Sequence, residues 1–230
     1  MRHWKLIGLS SLVVIALAAI NASAASAALP EFNAEFPAQL SASANSVKIE
    51  TASGSLKVKC KGGLVSDAIE GPKELSRLGG ANLRDCSENG VVCTTETGTT
   101  PGEILFYATS VTIGYIDEAA KRVGVRFGTE DPASQVLETF ECGATKVVLT
   151  GSVIGEWSPI NEAVRPPRSK PKPPKGTLVF NEKKGVPSIA GFEGETPEPL
   201  EASIDGGPME PAAFKLKGKL GVTEAIELKG

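Results

Sequence analysis

The chain has 230 residues, of which 41% are hydrophobic and 22% are charged, and its formal net charge is −3. A chain of this length forms one domain or, at most, two. The hydrophobic fraction is large enough to build a core, which excludes a wholly disordered protein. A net charge this close to zero gives no reason to expect a nucleic-acid ligand.

The first 27 residues have the pattern of a secretory signal peptide. A positively charged start is followed by an apolar run through Ile20 and by small residues at 22–28. The apolar run is too short for a comfortable membrane span. We therefore predict export and cleavage after Ala27, with Ala24 and Ala28 as alternative cleavage positions and no transmembrane segment in the mature chain.

Cleavage would change the chemistry that the chain can perform. The leader contains Arg2, Lys5, no acidic residue and the only histidine, His3, so the net charge would change from −3 to −5. A mature chain without histidine cannot use Ser-His-Asp or Cys-His catalysis and offers no imidazole to a metal. We accordingly expect no catalytic histidine, no cofactor and no metal site.

Apolar and polar residues alternate along the mature chain with a period of two, which predicts β-strands with one buried and one wet face. The alternation is clearest at 214–220, where lysines separate the apolar residues. Glycine and proline clusters interrupt it every eight to fifteen residues or so, as is typical of sandwiches and barrels. Strands are predicted at 47–51, 56–60, 64–69, 81–85, 103–116, 122–127, 136–142, 146–154, 177–181, 200–204 and 214–220.

These strands predict an all-β fold: a single antiparallel sandwich or barrel-like domain of about ten or more strands over residues 28–230. One helical turn is predicted after Ser158, which would act as the N-cap, with Pro159 in the first helical position. The segment 165–175 is a break in composition, with five prolines and five basic residues and no acid. Prolines disfavour both a helix and a strand interior, so we predict an exposed loop.

The basic residues of this loop are the natural contact for an anionic cell-wall polymer, because no local acid compensates their charge. The interpretation that we favour is nevertheless a solvated loop that contacts nothing, as charged runs usually are. The candidate contact residues are Arg165, Arg168, Lys170, Lys172 and Lys175.

Several short motifs occur in a characteristic order along the chain. They are Leu-Pro-Glu-Phe at 29–32, Ile-Glu-Gly-Pro-Lys at 69–73, Cys86 with Val-Cys-Thr at 92–94, Gly-Glu-Ile at 102–104, Ile-Gly-Tyr-Ile at 113–116, Phe-Glu-Cys-Gly at 140–143, Gly-Ser-Val-Ile-Gly at 151–155 and Phe-Glu-Gly at 192–194. Together they resemble a family of uncharacterised exported β-rich proteins of high-GC Gram-positive (actinobacterial) soil bacteria. The resemblance implies export and a β-rich fold, and it implies no activity.

The four cysteines are an even number in a chain predicted to be exported, so two disulfides are expected. Cys86 and Cys93 flank the turn-forming pair Asn-Gly at 89–90, and Cys60 and Cys142 both have the phase of inward-facing strand residues. We therefore predict the bridges Cys86–Cys93 and Cys60–Cys142. The alternative is four reduced, buried cysteines.

Carboxylates are the remaining acid–base groups, and a glycosidase needs two of them about 5–10 Å apart. The candidates are Glu103, Glu138 and Glu141 in predicted strands and Glu193 and Glu195 in a glycine-flanked loop. Glu138 shares the predicted inward face of its strand with Phe140 and Cys142, and an unpaired inward carboxylate would indicate a site.

Three function classes follow. We expect a non-enzymatic binding or structural domain at the cell envelope or outside the cell, secreted or cell-surface. The alternatives are a carboxylate-dependent hydrolase of a wall or soil polysaccharide and a barrel-type carrier of a small ligand. Trp157, Tyr107 and Tyr115 are too few aromatics for a convincing saccharide cleft, so the sequence names no catalytic residue.

Overall fold

The structure is a computed structural model that describes residues 29–76, 79–95, 100–129, 135–167 and 175–230. These residues form β-strands and no helix, which confirms the predicted all-β fold class. The predicted signal peptide, 1–27, lies outside the described residues.

Twenty strands run through the described part of the chain. The first ten are β1 (Glu31–Asn33), β2 (Ala38–Ala44), β3 (Val47–Thr51), β4 (Lys57–Cys60), β5 (Gly62–Ile69), β6 (Gly80–Arg84), β7 (Ser87–Glu88), β8 (Val91–Thr95), β9 (Ile104–Tyr107) and β10 (Ser110–Asp117). The others are β11 (Arg122–Gly128), β12 (Val136–Cys142), β13 (Thr145–Thr150), β14 (Val153–Ser158), β15 (Thr177–Phe180), β16 (Glu182–Lys183), β17 (Val186–Pro187), β18 (Glu201–Ile204), β19 (Glu210–Val222) and β20 (Glu227–Lys229).

Eight strands close into a barrel, which we call the first ring. Its order is β19-β18-β13-β12-β8-β7-β4-β3, and β3 pairs with β19 to complete the circle. All of these pairings are antiparallel. Closure leaves no free strand edge between these elements, which removes the usual route to edge-to-edge association.

A second ring uses the other half of β19. It runs from β19 through β2, β5, β6 and β9 on one side and through β15, β14, β11 and β10 on the other. The two ends meet where β9 leads into β10, because the Ala108 N–H donates to the Gly79 carbonyl (2.9 Å) and the Thr109 N–H to the Gly128 carbonyl (3.1 Å). The predicted single strand 103–116 is therefore two strands that turn a corner of the ring.

The strand β19 is shared because it is long, and its burial alternates from Phe214 to Val222. Its N-terminal half pairs with β18 and β3, and its C-terminal half pairs with β15 and β2. Leu216, Leu220 and Val222 are buried, whereas the intervening lysines are exposed. One face of the strand therefore contributes to the core along both rings, while the other face carries positive charge.

A continuous hydrophobic core fills both rings. In the second ring, Phe106 packs edge-on against Phe214 with ring centroids 5.2 Å apart. The β1–β20 ribbon covers the core at another point, where Phe32 packs against Trp157 with ring centroids 5.8 Å apart. Trp157 lies inside β14 and is 1% exposed, so it is a core residue and does not line a cleft.

Both disulfides join residues that face each other on neighbouring strands. Cys60 is bonded to Cys86 at the end of the β4–β7 ladder, and Cys93 is bonded to Cys142, its register partner in the β8–β12 ladder. The expectation of two bridges is confirmed. The predicted pairing, Cys60–Cys142 with Cys86–Cys93, is wrong.

The reason lies in how four strands line up. The β7–β8 hairpin does form at Asn89–Gly90, both with positive φ, and the Cys93 N–H donates to the Cys86 carbonyl (3.0 Å). The four cysteines therefore form one row across β4, β7, β8 and β12. Cys86 and Cys93 lie on the two sides of the β7–β8 hairpin, and each is bonded to the cysteine of the strand on its other side, Cys60 or Cys142. Those strands are brought alongside the hairpin by pairing between distant segments and not by the local turn.

The predicted helical turn after Ser158 is also wrong. Ser158 ends strand β14, and the next residues pair with the C-terminus: the Asn161 N–H donates to the Leu228 carbonyl (2.9 Å), and its side chain bonds Gly230. Sequence patterning also missed β1, β2, β7, β8, β16, β17 and β20. These strands are short, rich in alanine or at the end of the chain, where a period of two is hard to detect.

Candidate functional site

The predicted carboxylates are held in separate places. Glu141 is exposed on β12, and Glu138 is half-buried beside a bulge, where it accepts a hydrogen bond from the Thr139 N–H (2.8 Å). Glu103 accepts a hydrogen bond from Asn82. Among the described residues, the two glutamates of β12 do not form an exposed pair in a cleft. They therefore give no support to the hydrolase hypothesis.

Glu193 and Glu195 belong to a loop that is fastened over the outer face of β10 and β11. Phe192 packs on Gly114, where a Cβ atom would overlap its ring, and the Arg126 guanidinium lies 4.9 Å from the ring centroid. Glu195 forms an ion pair with Arg126 at 2.6 Å. Glu193 accepts a hydrogen bond from the Glu118 N–H (2.6 Å). Both carboxylates therefore help to hold the loop in place.

This contact also connects two of the short motifs noted in the sequence. Gly114 lies in the motif at 113–116 and Phe192 in the motif at 192–194, which are about 80 residues apart in the chain. The glycine is required because the aromatic ring occupies the space of its missing side chain.

A polar cleft of about 440 Å³ lies near this loop. Its lining includes Arg126, Gln135, Ser152, Glu198 and Glu201. None of the five carboxylates predicted from the sequence lines it, within the part of the chain that the structure describes. The hydroxyl and the N–H of Ser152 are both used in hydrogen bonds within the fold, because each donates to the Glu198 carbonyl (2.8 and 3.1 Å).

Asp67 is a buried carboxylate that the sequence analysis did not single out. It is 6% exposed and faces inward from β5 between Val65 and Ile69. Its Oδ1 accepts hydrogen bonds from the Ser76 hydroxyl and the Ala68 N–H, each at 2.7 Å. Burial raises the pKa of Asp67 to about 6, against the opposing effect of these hydrogen bonds. The alternation of Val65, Asp67 and Ile69 is the signal that could have revealed it.

A small cavity lies in the interior of the second ring. It has a volume of about 40 Å³ and an apolar lining that includes Val65, Phe106, Phe127, Phe180 and Phe214. A dry cavity that binds a molecule as small as benzene measures roughly 150 Å³. The carrier hypothesis therefore gains no support from this cavity.

The most distinctive chemistry is on the outer face, where lysines from three adjacent strands form a cluster. Lys215 of β19 pairs in register with Lys48 of β3, which pairs in register with Lys59 of β4. Neighbouring strands lie about 4.8 Å apart, so the three backbones bring positive charges side by side. We call this surface the lysine face; it comprises Lys48, Lys57, Lys59, Lys215, Lys217 and Lys219.

Two carboxylates partly compensate this charge. Glu50 pairs with Lys57 at 2.9 Å and also contacts Lys48. Glu182, from the short β16–β17 hairpin, pairs with Lys48 at 2.7 Å and lies 3.9 Å from Lys215. Hydrogen bonds from Lys48 and Lys57 lower the pKa of Glu50, so it stays ionised at neutral pH. The compensation is confined to one end of the lysine face.

The basic segment predicted as a contact lies next to this surface at its C-terminal end. Arg165 and Lys175 are exposed, whereas Arg168, Lys170 and Lys172 lie outside the described residues. Lys175 precedes β15 by one residue, and the first residue of β15, Thr177, pairs with Lys219. The segment therefore joins the sheet beside the lysines of β19.

The described residues contain no group of three or more histidine, cysteine, aspartate or glutamate side chains that could hold a metal ion. A search of the same residues finds no helix long and apolar enough to cross a membrane.

Comparisons with known proteins identify no relative of this chain. The chain matches no protein-family model, no curated protein sequence and no solved structure. The resemblance to an actinobacterial exported family stays a prediction, and the function must be argued from the site itself.

Proposed function

We propose that the protein is an exported, non-enzymatic binding domain that holds an anionic polymer of the cell envelope on its lysine face. The single observation that carries the proposal is the register of Lys215, Lys48 and Lys59 on three adjacent strands. Glu50 and Glu182 compensate the charge of Lys48 but are only two acids among the six lysines of the face, so an excess of positive charge remains that an anionic ligand can neutralise.

The contrast with the rest of the chain strengthens the argument. The whole chain has a net charge of −3, so a cluster of six lysines is a local concentration against an acidic background. The distances between adjacent strands are shorter than the Debye length of about 8 Å at physiological salt, so the lysines act on a ligand together. A polymer can contact several of them at once, whereas a small anion can contact one or two.

Export is the second part of the proposal. The sequence pattern at 1–27 predicts a signal peptide. The two disulfides are typical of proteins that fold in an oxidising compartment. We expect mass spectrometry of secreted material to find an N-terminus at Ala25, Ala28 or Leu29. Recovery of only the full-length chain from the cytoplasm would contradict export.

The binding test compares the wild-type protein with a lysine-face variant on purified cell walls. The variant Lys59→Gln/Lys215→Gln/Lys217→Gln removes three charges from the face. Lysines near an anionic surface contribute about 1 kcal/mol each, so we expect the affinity to fall roughly ten- to a hundredfold at low salt. Walls from which anionic polymers have been extracted should no longer bind the wild-type protein.

The matched control is Lys73→Gln/Lys121→Gln/Lys229→Gln, which removes the same charge from exposed positions elsewhere. This control should bind within about twofold of the wild type if the lysine face is the site. Equal losses in the two variants would show a general charge effect and contradict the proposal, as would a wild-type protein that does not bind walls at low salt.

A further inference from the structure

Within this proposed function, on which the inference rests, we propose that the polymer lies along β19, over Lys215, Lys217 and Lys219, and continues towards Lys175. The strand has 13 residues and is the longest that the structure describes. Its three lysines alternate with buried residues, so their Cα atoms are roughly 6.7 Å apart on one face. They form a straight line of positive charge.

In the described part of the chain, the register of the sheet places no acid directly beside Lys217 or Lys219. In the register of the sheet, Lys217 faces Val179, and Lys219 faces Thr177 on one side and Ser43 on the other. The next carboxylate across the sheet, Glu156, is already bound by two hydrogen bonds from Arg122, at 2.8 and 2.9 Å. The ammonium groups of Lys217 and Lys219 are therefore free to meet an external anion.

The lysines of β4 alternate in the same way but have different neighbours. Lys57 is bound to Glu50 at 2.9 Å, and Glu88 accepts a hydrogen bond from the Lys57 N–H (3.2 Å). Lys59 faces Lys48, whose charge is taken up by Glu50 and Glu182. Carboxylates thus lie beside the β4 line, and a polyanion placed there would be repelled by them.

The line extends beyond the end of β19. Because β15 is antiparallel to β19 and Thr177 pairs with Lys219, Lys175 lies one step further in the same direction. Lys175 is exposed. A ligand that follows β19 therefore passes from three strand lysines to a fourth lysine, which a ligand lying across β19, β3 and β4 would not reach.

The side chains indicate the class of anion. All four positions are lysines, which commonly bind phosphate as compact point charges and do not need the fixed bidentate geometry with which the planar fork of arginine holds a carboxylate or a phosphate; such contacts suit a flexible polymer that presents its phosphates one at a time. We therefore assign a linear polyol-phosphate polymer, with one phosphate per repeat, as the ligand. Poly(glycerol phosphate) of defined length is the probe.

The experiment compares two triple variants that remove the same charge from equally alternating strands. Lys215→Gln/Lys217→Gln/Lys219→Gln should weaken binding of a poly(glycerol phosphate) chain of about six units at least tenfold. Its slope of log affinity against log salt should fall by about 2, because three contacts contribute roughly 0.7 each. The matched β4 variant, Lys57→Gln/Lys59→Gln/Lys61→Gln, should lose less than about threefold.

Further arms separate the possible outcomes. Replacing the three β19 lysines by arginine keeps the charge and should retain binding, and thermal unfolding of every variant should match the wild type. A larger loss in the β4 variant than in the β19 variant overturns the inference while leaving the lysine face as the site. Vesicles rich in phosphatidylglycerol should not bind; if they bind as tightly as the polymer, the ligand is a lipid headgroup and the polymer assignment is wrong. If the wild type binds none of these anions, the proposed function itself fails.

Discussion

The two rings share β19 but are stabilised in different ways. The first ring contains both disulfides, which connect four of its strands in a single row. The second ring has no disulfide among its described residues and depends on aromatic packing, such as Phe127 against Phe180 at 6.1 Å, and on glycines under bulky groups. It also contains the buried carboxylate Asp67.

The difference shows how one strand can serve both a closed barrel and a second set of strands, whose ends β9 and β10 are joined by the chain and not by strand pairing. The first ring includes the two-residue strand β7, whose few backbone hydrogen bonds hold it weakly, and covalent links on both sides of it compensate. The strands of the second ring are mostly longer and pair over more residues, so side-chain packing is sufficient. Four measurements can test this contrast.

The largest expected effect comes from opening the first ring. In the chain-entropy model, the bridge that closes the 49-residue separation between Cys93 and Cys142 contributes about 4 kcal/mol, and the 26-residue separation between Cys60 and Cys86 contributes about 3.5 kcal/mol. Cys93→Ala/Cys142→Ala should therefore lower the free energy of unfolding in urea by about 4 kcal/mol. A change below 1 kcal/mol would show that packing alone closes this ring.

The next effect is a pH dependence that belongs to the second ring. The pKa of folded Asp67 is about 6, above its ordinary value of 3.8, so the folded state binds the proton more tightly than the unfolded state. The stability should therefore fall as the pH rises from about 4 to 7, and Asp67→Asn should be more stable than the wild type by about 3 kcal/mol at pH 8. The two proteins should be nearly equal below pH 4; parallel curves across this range would contradict the prediction.

A smaller effect concerns the loop fastened to the second ring. Gly114→Ala places a methyl group where the Phe192 ring lies, so it should cost about 1–2 kcal/mol by displacing the loop. Phe192→Ala removes the obstacle, so the double variant should be more stable than the sum of the single changes predicts. Additive effects in this double-mutant cycle, measured by thermal unfolding, would show that the contact does not form.

The smallest effect is expected on the outer faces, where the two rings should not differ. Arg122–Glu156 on the second ring and Lys57–Glu50 on the first are ion pairs with a partly exposed partner. Arg122→Gln and Lys57→Gln should each cost less than about 1 kcal/mol, and less at high salt. A cost above 2 kcal/mol in either variant would show that its ion pair contributes more to stability than an exposed pair does.

Several strands could be predicted because the residue type at each position, apolar or polar, directly indicates whether the side chain is buried. At 214–220 and 122–127, the alternation of apolar and polar residues corresponds to the burial in β19 and β11. The same reasoning treated 103–116 and 146–154 as single strands. It failed there because the chain turns a corner at 108–109 and, at Gly151, passes from β13 of the first ring to β14 of the second ring; both features depend on which strands lie beside them.

The candidate site could be predicted only in part. The alternation at 214–220 predicts the lysines of β19 on a wet face, and they are exposed there, whereas the contact of the basic segment at 165–175 with an anionic polymer stays a prediction. The register that places Lys48 between Lys215 and Lys59 could not be found, because these residues come from distant parts of the chain. The predicted inward carboxylate was sought at Glu138, whereas the buried one is Asp67, because a bulge changes the phase of β12.

The sequence by itself determined the alternation that makes this chain all-β, the even number of cysteines and the positions of its charges, since each of these is a property of residues taken singly or in short runs. Only the tertiary structure decided the partners: which cysteine bonds to which, which strands close each ring and which lysines stand side by side. Local patterns set the face on which a side chain lies, but strand pairing between distant segments depends on how the whole core is filled. The same alternating strand could pair in several registers, and burial of both rings around β19 selects one.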